Sequence, residues 1–195
     1  MLKYRKNIDK NSKQFIVWNF KERQVNMYNV GQYVVCGNKG VCTVQDITTL
    51  DIAGVDKAKL YYILKPEYIT ASTVYVPVDH DDSLREVLSR EQAEQLVREI
   101  PEILPLQILN EKLAEQEYRS CMRTNDSRQW IRVIKTIYDR KQKRLQAGRK
   151  ETAVDGRYFK LAEDSLYGEL AVALGMERSQ VCAYITDKLQ GAASV

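Results

Sequence analysis

Residues 73–100 read TVYVPVDHDDSLREVLSREQAEQLVREI, and a change of period inside this stretch decides the fold. Up to residue 78 the period is two: Val74, Val76 and Val78 share one face, the pattern of a half-buried strand. Beyond the acidic run Asp79-His80-Asp81-Asp82 the period lengthens. Ser89 and Gln92 form a capping box ahead of Ala93, Leu96, Val97 and Ile100, a helical spacing that Pro101 ends. Strands therefore give way to helices at this junction, and the chain reads as α+β.

Working outward, the segments 32–36, 41–47, 60–65 and 72–78 are rich in Val, Ile, Thr and Tyr. Gly37-Asn38-Lys39-Gly40, Gly54 with Asp56, and Pro66-Glu67 separate them as turns. Short strands at this density predict a small SH3- or Tudor-like β-barrel over residues 27–84. On the other side, Asn110 caps a second helix running to about residue 123. Asp126 with Gln129 opens a third, with Trp130, Ile134, Ile137 and Tyr138 inward and Gly148 at its end. Thr152 with Asp155 opens a fourth, with Tyr158, Leu161, Ala162, Leu166 and Leu170 inward and Gly175 as its stop. A last helix over 179–189 uses Val181, Ile185 and Leu189. About five helices with short connections predict a compact all-α domain over residues 85–190. Residues 1–26 follow neither period and carry seven Lys/Arg against two Asp/Glu; they are expected to form a disordered basic tail or an upstream extension, with Met27 as the natural start.

The formal charge of +4 conceals an asymmetry. Residues 118–150 hold eleven basic and two acidic side chains, a net +9, whereas residues 51–110 hold six against eleven, a net −5. One part of the chain is suited to a polyanion and the other is not. Arg128, Arg132 and Lys135 recur at helical spacing on the third helix, away from Ile134 and Ile137; Arg119 and Arg123 are four apart on the second. Lys141, Lys143, Arg144, Arg149 and Lys150 crowd the end of the third helix, and the turn between the second and third is expected to bring the two arginine groups near each other. A solvated helix face ordinarily mixes signs, so this one is read as a phosphate-contacting surface that follows backbone and shape with little base readout.

Signatures of chemistry are missing. There is no phosphate-binding Gly-x-x-x-x-Gly-Lys loop, no Gly-x-Ser-x-Gly and no dinucleotide-binding glycine spacing. The single histidine, His80, lies among linker carboxylates that are read as solvated, so no metal site, cofactor or small-molecule substrate is expected. Cys36, Cys42, Cys121 and Cys182 form no Cys-x-x-Cys pair and are read as reduced thiols. No run approaches the ~20 apolar residues of a membrane span, and residues 15–18 lack the small-residue site of a cleaved leader. The chain is expected to be a cytoplasmic binding protein, not an enzyme.

Val30-Gly31-Gln32-Tyr33-Val34-Val35 through Gly40-Val41-Cys42-Thr43-Val44, and Thr73-Val74-Tyr75-Val76-Pro77-Val78 followed by Leu84-Arg85, resemble the polymerase-interacting domain shared by CarD, CdnL and the transcription-repair coupling factor. Glu111-Lys112-Leu113, Tyr118-Arg119, residues 131–144 and Glu169-Leu170-Ala171-Val172-Ala173-Leu174 are similar to the helical half of the bacterial CarD/CdnL regulators. The resemblance implies a transcription regulator whose barrel docks on the RNA polymerase β subunit, partly by strand pairing. Its helices would grip double-stranded promoter DNA at the bubble edge and stabilise the open complex. By position, the polymerase contacts would be Leu50 and Thr73, Val74, Tyr75, Val76 and Pro77. The DNA contacts would include Arg119 and Arg157, to which charge adds Arg123, Arg128, Arg132, Lys135 and Lys150. Many members carry a wedge tryptophan where this chain reads Leu106-Gln107-Ile108-Leu109, which leaves Ile108 or Leu109 as the candidate wedge. Basic helices also suit an RNA- or ribosome-associated module with no polymerase partner, which exposed, base-stacking aromatics would support.

Overall fold

The computed structural model describes residues 28–52, 54–68 and 73–192; residues 1–27, and with them the expected basic tail, lie outside this set, as do the side chains of Asn38, His80, Asp81, Asp82 and Ala192. Five strands, β1 (Tyr33–Cys36), β2 (Val41–Thr48), β3 (Tyr61–Pro66), β4 (Val74–Pro77) and β5 (Leu84–Glu86), form one antiparallel sheet in the order β4-β3-β2-β1-β5. Five helices follow: α1 (Arg90–Glu99), α2 (Ala114–Arg123), α3 (Ser127–Gln146), α4 (Ala153–Leu174) and α5 (Arg178–Ala192). The α+β reading and its Tudor-like strand half hold. β5 is the strand that sequence missed. It straddles residue 84, at which the expected barrel stops.

Val34, Cys36, Cys42, Val44, Tyr62, Leu64, Val76 and Leu84 share one buried cluster with Tyr28. Val76 and Leu84 sit on the two outermost strands, so the sheet curls until both edges reach the same core. The two-residue period then sends Val35 and Val41 to the opposite face, where they join the helical core of Trp130, Ile137, Leu166 and Leu170. The β1–β2 turn rests directly on α4. A Cβ on Gly40, at φ +67, would lie 3.4 Å from the Ser165 Cα.

The helix ends follow their local chemistry. Ser89 and Gln92 bond each other's backbone at α1, Asn110 accepts from the Lys112 N–H, Asp126 from Arg128 and Thr152 from Asp155. Gly175 turns left-handed to stop α4. α4 is central, burying Tyr158, Ala162, Leu166, Leu170 and Leu174, and also Glu169. Tyr138, expected inward, is exposed; on α3 the buried arc instead runs through Trp130, Ile131, Val133, Thr136 and Ile137, because that helix packs against both α2 and α4.

A polar network locks the sheet to the helices. Arg85 of β5 grips the buried Glu169 carboxylate with both terminal nitrogens, Nη2 to Oε2 at 2.8 Å. Ser127 Oγ donates to the same carboxylate at 2.5 Å and accepts from Arg85 at 2.9 Å, and the Leu88 N–H adds a fourth bond at 3.2 Å. Asn125, at φ 56, donates to the carbonyls of Val35 and Ser83, both at 3.0 Å. The Arg85 guanidinium also lies 5.5 Å from the centroid of the Trp130 ring.

Candidate interaction surfaces

Among the described residues β4 pairs only with β3, which leaves its other side open. The Val78 N–H donates to the Leu60 carbonyl at 2.9 Å, which fixes the phase of the ladder. Alternation along an antiparallel strand then turns the amides of Val74 and Val76 toward β3 and those of Thr73, Tyr75 and Pro77 outward. Pro77 has no N–H to lose there, and a proline on such an edge blunts unwanted pairing. Tyr75 offers both of its backbone groups, with its side chain 46% exposed and set opposite Ile63. The face is a short strip of backbone beside an exposed aromatic ring. Of the residues expected to meet polymerase, Thr73, Tyr75 and Pro77 fall on this strip, while Val74 and Val76 point into the sheet core. Leu50, also expected to meet polymerase, is 8% exposed, so its side chain is packed within the fold.

The basic residues separate into two sets. Arg119 and Arg123 of α2 and Arg157 of α4 line one groove with Met122, Tyr158 and Leu161. An adjoining hollow is walled by Lys112, Glu115, Gln116, Arg119, Ser120 and Arg123. Every residue of that wall is polar or charged, which suits a charged backbone better than an apolar small molecule. Glu115 Oε1 accepts from Arg119 Nη2 at 2.9 Å and from Arg157 Nη2 at 2.7 Å. The Arg157 guanidinium lies 5.0 Å from the Tyr158 ring centroid, and Arg119 lines the same groove. No hydrogen bond or ion pair among the described residues engages Arg123.

Arg128, Arg132 and Lys135 face elsewhere, toward α1 and the turn after it. Arg128 pairs with Glu99 at 2.6 Å, and Arg132 reaches Gln129 and the Leu104 carbonyl. Lys135 spends its ammonium on the carbonyls of Ile100, Pro101 and Ile103 at 2.8, 3.2 and 2.7 Å. These three bonds occupy the donors of its ammonium and tie α3 to the turn after α1. The two arginine groups take different protein partners: Arg119 pairs with Glu115 on its own helix, whereas Arg128 and Arg132 reach Glu99 of α1 and the Leu104 carbonyl. Lys150 is exposed beyond the end of α3, where its carbonyl accepts from Arg144.

Of the two candidate wedge residues, Ile108 packs partly against the helical core, whereas Leu109 is 96% exposed just ahead of the Asn110 cap. Glu115, Asn125 and Glu169 were missed by sequence reasoning. Glu169 had a signal, since it is the lone acid in the apolar run Gly168-Glu169-Leu170-Ala171-Val172-Ala173-Leu174. A charge placed there is kept only with a partner.

Buried polar chemistry elsewhere is structural. The Tyr118 hydroxyl donates to Asp155 at 3.0 Å, and Arg140 binds Glu111 through two bonds at 2.6 and 2.8 Å. Burial, then the Asp155 charge, raises the Tyr118 phenol well above its ordinary range. Among the described residues no group of three His, Cys, Asp or Glu could hold a metal, and no helix is long and apolar enough to cross a membrane.

The strand half, with its open edge, matches a known family. Residues 28–88 fit the model of the CarD-like/TRCF RID domain. This segment is similar to a CarD-like domain. Its match covers all five strands and ends one residue before the Ser89 cap of α1. A CarD-like domain carries a transcription-associated role in RNA polymerase binding. No curated protein matches the chain.

Proposed function

We propose that the chain is a non-catalytic cytoplasmic regulator that bridges RNA polymerase and promoter DNA. The CarD-like sheet binds the polymerase β subunit by adding a strand to the open edge of β4, where Tyr75 presents both backbone groups and an exposed ring. The groove of Arg119, Arg123 and Arg157 holds the phosphate backbone of double-stranded DNA at the upstream edge of the bubble. Leu109 stands near the start of α2 as an apolar wedge. Holding the melted state in this way stabilises the open complex.

The observation that carries the reading is that the open β4 edge and the arginine groove belong to two layers joined by the Arg85–Glu169 network. A groove without an exposed ring favours duplex over single-stranded RNA. Its one aromatic, Tyr158, is buried, so it offers no stacking platform.

The test uses the full chain with Arg119→Glu and Arg157→Glu together. Duplex binding and open-complex lifetime should both fall about tenfold or more at moderate salt, since two phosphate contacts are reversed. Binding to the isolated β-subunit lobe should not change. Tyr75→Asp should give the converse pattern. Unchanged open-complex lifetime in the double variant refutes the DNA role, and unchanged lobe binding in Tyr75→Asp refutes the edge.

A further inference from the structure

Glu115 occupies an unusual place for an acid on a basic face. A single oxygen, Oε1, lies between two guanidiniums that come from different helices, 2.9 Å from Arg119 and 2.7 Å from Arg157. A non-bridging phosphate oxygen would take that same position and accept those same two N–H groups. The side chains of Arg119 and Arg157 are 56% and 61% exposed, so both pairs are surface pairs that an incoming anion can replace.

We infer that Glu115 is a built-in competitor for phosphate, a specificity-determining residue that holds down the groove's affinity for any nucleic-acid backbone it meets. The inference rests on reading the groove as a duplex interface. The opposite role, in which Glu115 positions the arginines for DNA, is disfavoured by Tyr158. Its ring face engages the Arg157 guanidinium, 5.0 Å from the centroid, independently of the carboxylate. Taking the carboxylate away therefore frees the donors of both arginines while Arg157 keeps its contact with the ring. With Glu115 in place, a phosphate must displace it. Displacement succeeds where further contacts form at the same time, from Arg123 and Lys112 in the same walls and from the exposed Leu109. A chance encounter with duplex supplies fewer of these.

The test compares Glu115→Gln with Glu117→Gln in the full chain. Glu117 is an exposed acid of α2 with no bond to either arginine, so the two substitutions remove the same charge from the same helix. The probe is a fluorescently labelled duplex of arbitrary sequence, followed by anisotropy across a salt series. Glu115→Gln should bind about three- to tenfold tighter, the range two exposed ion pairs can supply. Its slope of log affinity against log salt should steepen by roughly one phosphate contact. Glu117→Gln should shift affinity by less than half as much on the logarithmic scale. In an Arg119→Ala, Arg157→Ala background the effect of Glu115→Gln should vanish. Weaker binding by Glu115→Gln, or tightening no greater than that of Glu117→Gln, overturns the inference. Duplex binding that survives intact in the double-alanine background instead overturns the groove itself as a DNA site, a separate failure.

Discussion

Replacing Arg85 with Met would leave the Glu169 carboxylate buried at the junction of sheet and helices with only Ser127 and the Leu88 N–H to hold it. Removing one partner of a buried ion pair typically costs about 3–5 kcal/mol, because the remaining charge is stranded away from water. The Arg85 side chain is partly exposed, which lets some water reach the gap, so the lower end, about 3 kcal/mol, is expected. For a chain of this length that is roughly 6–12 °C in melting temperature. Glu169→Gln should cost less, about 1–2 kcal/mol, since the amide oxygen still accepts hydrogen bonds and the guanidinium keeps Ser127 and the Asn125 carbonyl as partners. Removing both charges together, as Arg85→Met with Glu169→Leu, should cost less than the sum of the single substitutions by at least ~1 kcal/mol.

Urea denaturation followed by far-UV circular dichroism gives each corner of this cycle. A loss under about 1 kcal/mol for Arg85→Met, or strict additivity in the double variant, would show that the carboxylate does not depend on the guanidinium, and the latch argument would fail. The assay has a functional side as well. A folded variant with a loosened junction keeps both surfaces chemically intact, so binding to polymerase alone and to duplex alone should persist. The lifetime of the complex containing both should shorten, because the geometry joining the two contacts is no longer fixed.

A Cβ at Gly168 would lie 2.7 Å from the Tyr68 ring, so Gly168→Ala should destabilise by about 1–3 kcal/mol through overpacking. In a Tyr68→Ala background the same change should reverse sign and stabilise by up to ~1 kcal/mol, the ordinary helical preference for alanine; thermal melts of the four proteins decide, and the absence of a reversal refutes the clash. Arg140 holds the Glu111 carboxyl below the usual carboxylate range, mainly by hydrogen bonding. A lowered folded-state pKa contributes stability that is present above the unfolded value of about 4.3 and is lost as pH falls through the folded one. Glu111→Gln should therefore be less stable than the parent at pH 7, with the gap closing below about pH 4 in urea titrations. A gap that stays constant with pH would mean the pair contributes nothing through its charge.

What sequence made legible was local. The Ser89–Gln92 box, the Asn110, Asp126 and Thr152 caps and the Gly175 stop each depend on residues a few positions apart, and each appears where the chain chemistry puts it. The alternation of Val74 and Val76 likewise marks their inward face before any partner strand is known. Charge could be counted but not assigned. Arg128 and Glu99 are twenty-nine residues apart, as are Arg140 and Glu111, and only the packing of separate helices shows that these cations are answered within the protein. The same limit hid Glu115, which looks like one more acid on α2 until Arg157 arrives from α4. Tyr138 failed for a related reason. A helical period names a face, but neighbours on both sides of α3 widened and rotated the buried arc. Three-residue β5 lacks the length for any period to register.

A regulator that touches two partners gains from both contacts only if the distance between them is held, since a loose joint returns the second contact to the concentration set by a tether. On the function proposed above, the fold meets this demand at the end of the sheet away from β4. Strands β1 and β2 and the turn between them carry the helices, through Val35, Val41 and Gly40. β5, next to β1, supplies Arg85 to the Glu169 network. β4, at the opposite end of the strand order, is left with an open side. Placing a buried acid in the apolar run of α4 is costly in itself, and an apolar residue there would pack more simply. Its justification is direction: Glu169 accepts only where Arg85, Ser127 and Leu88 converge, and such directional bonding fixes one docking of helices on sheet, where apolar contact alone would tolerate several.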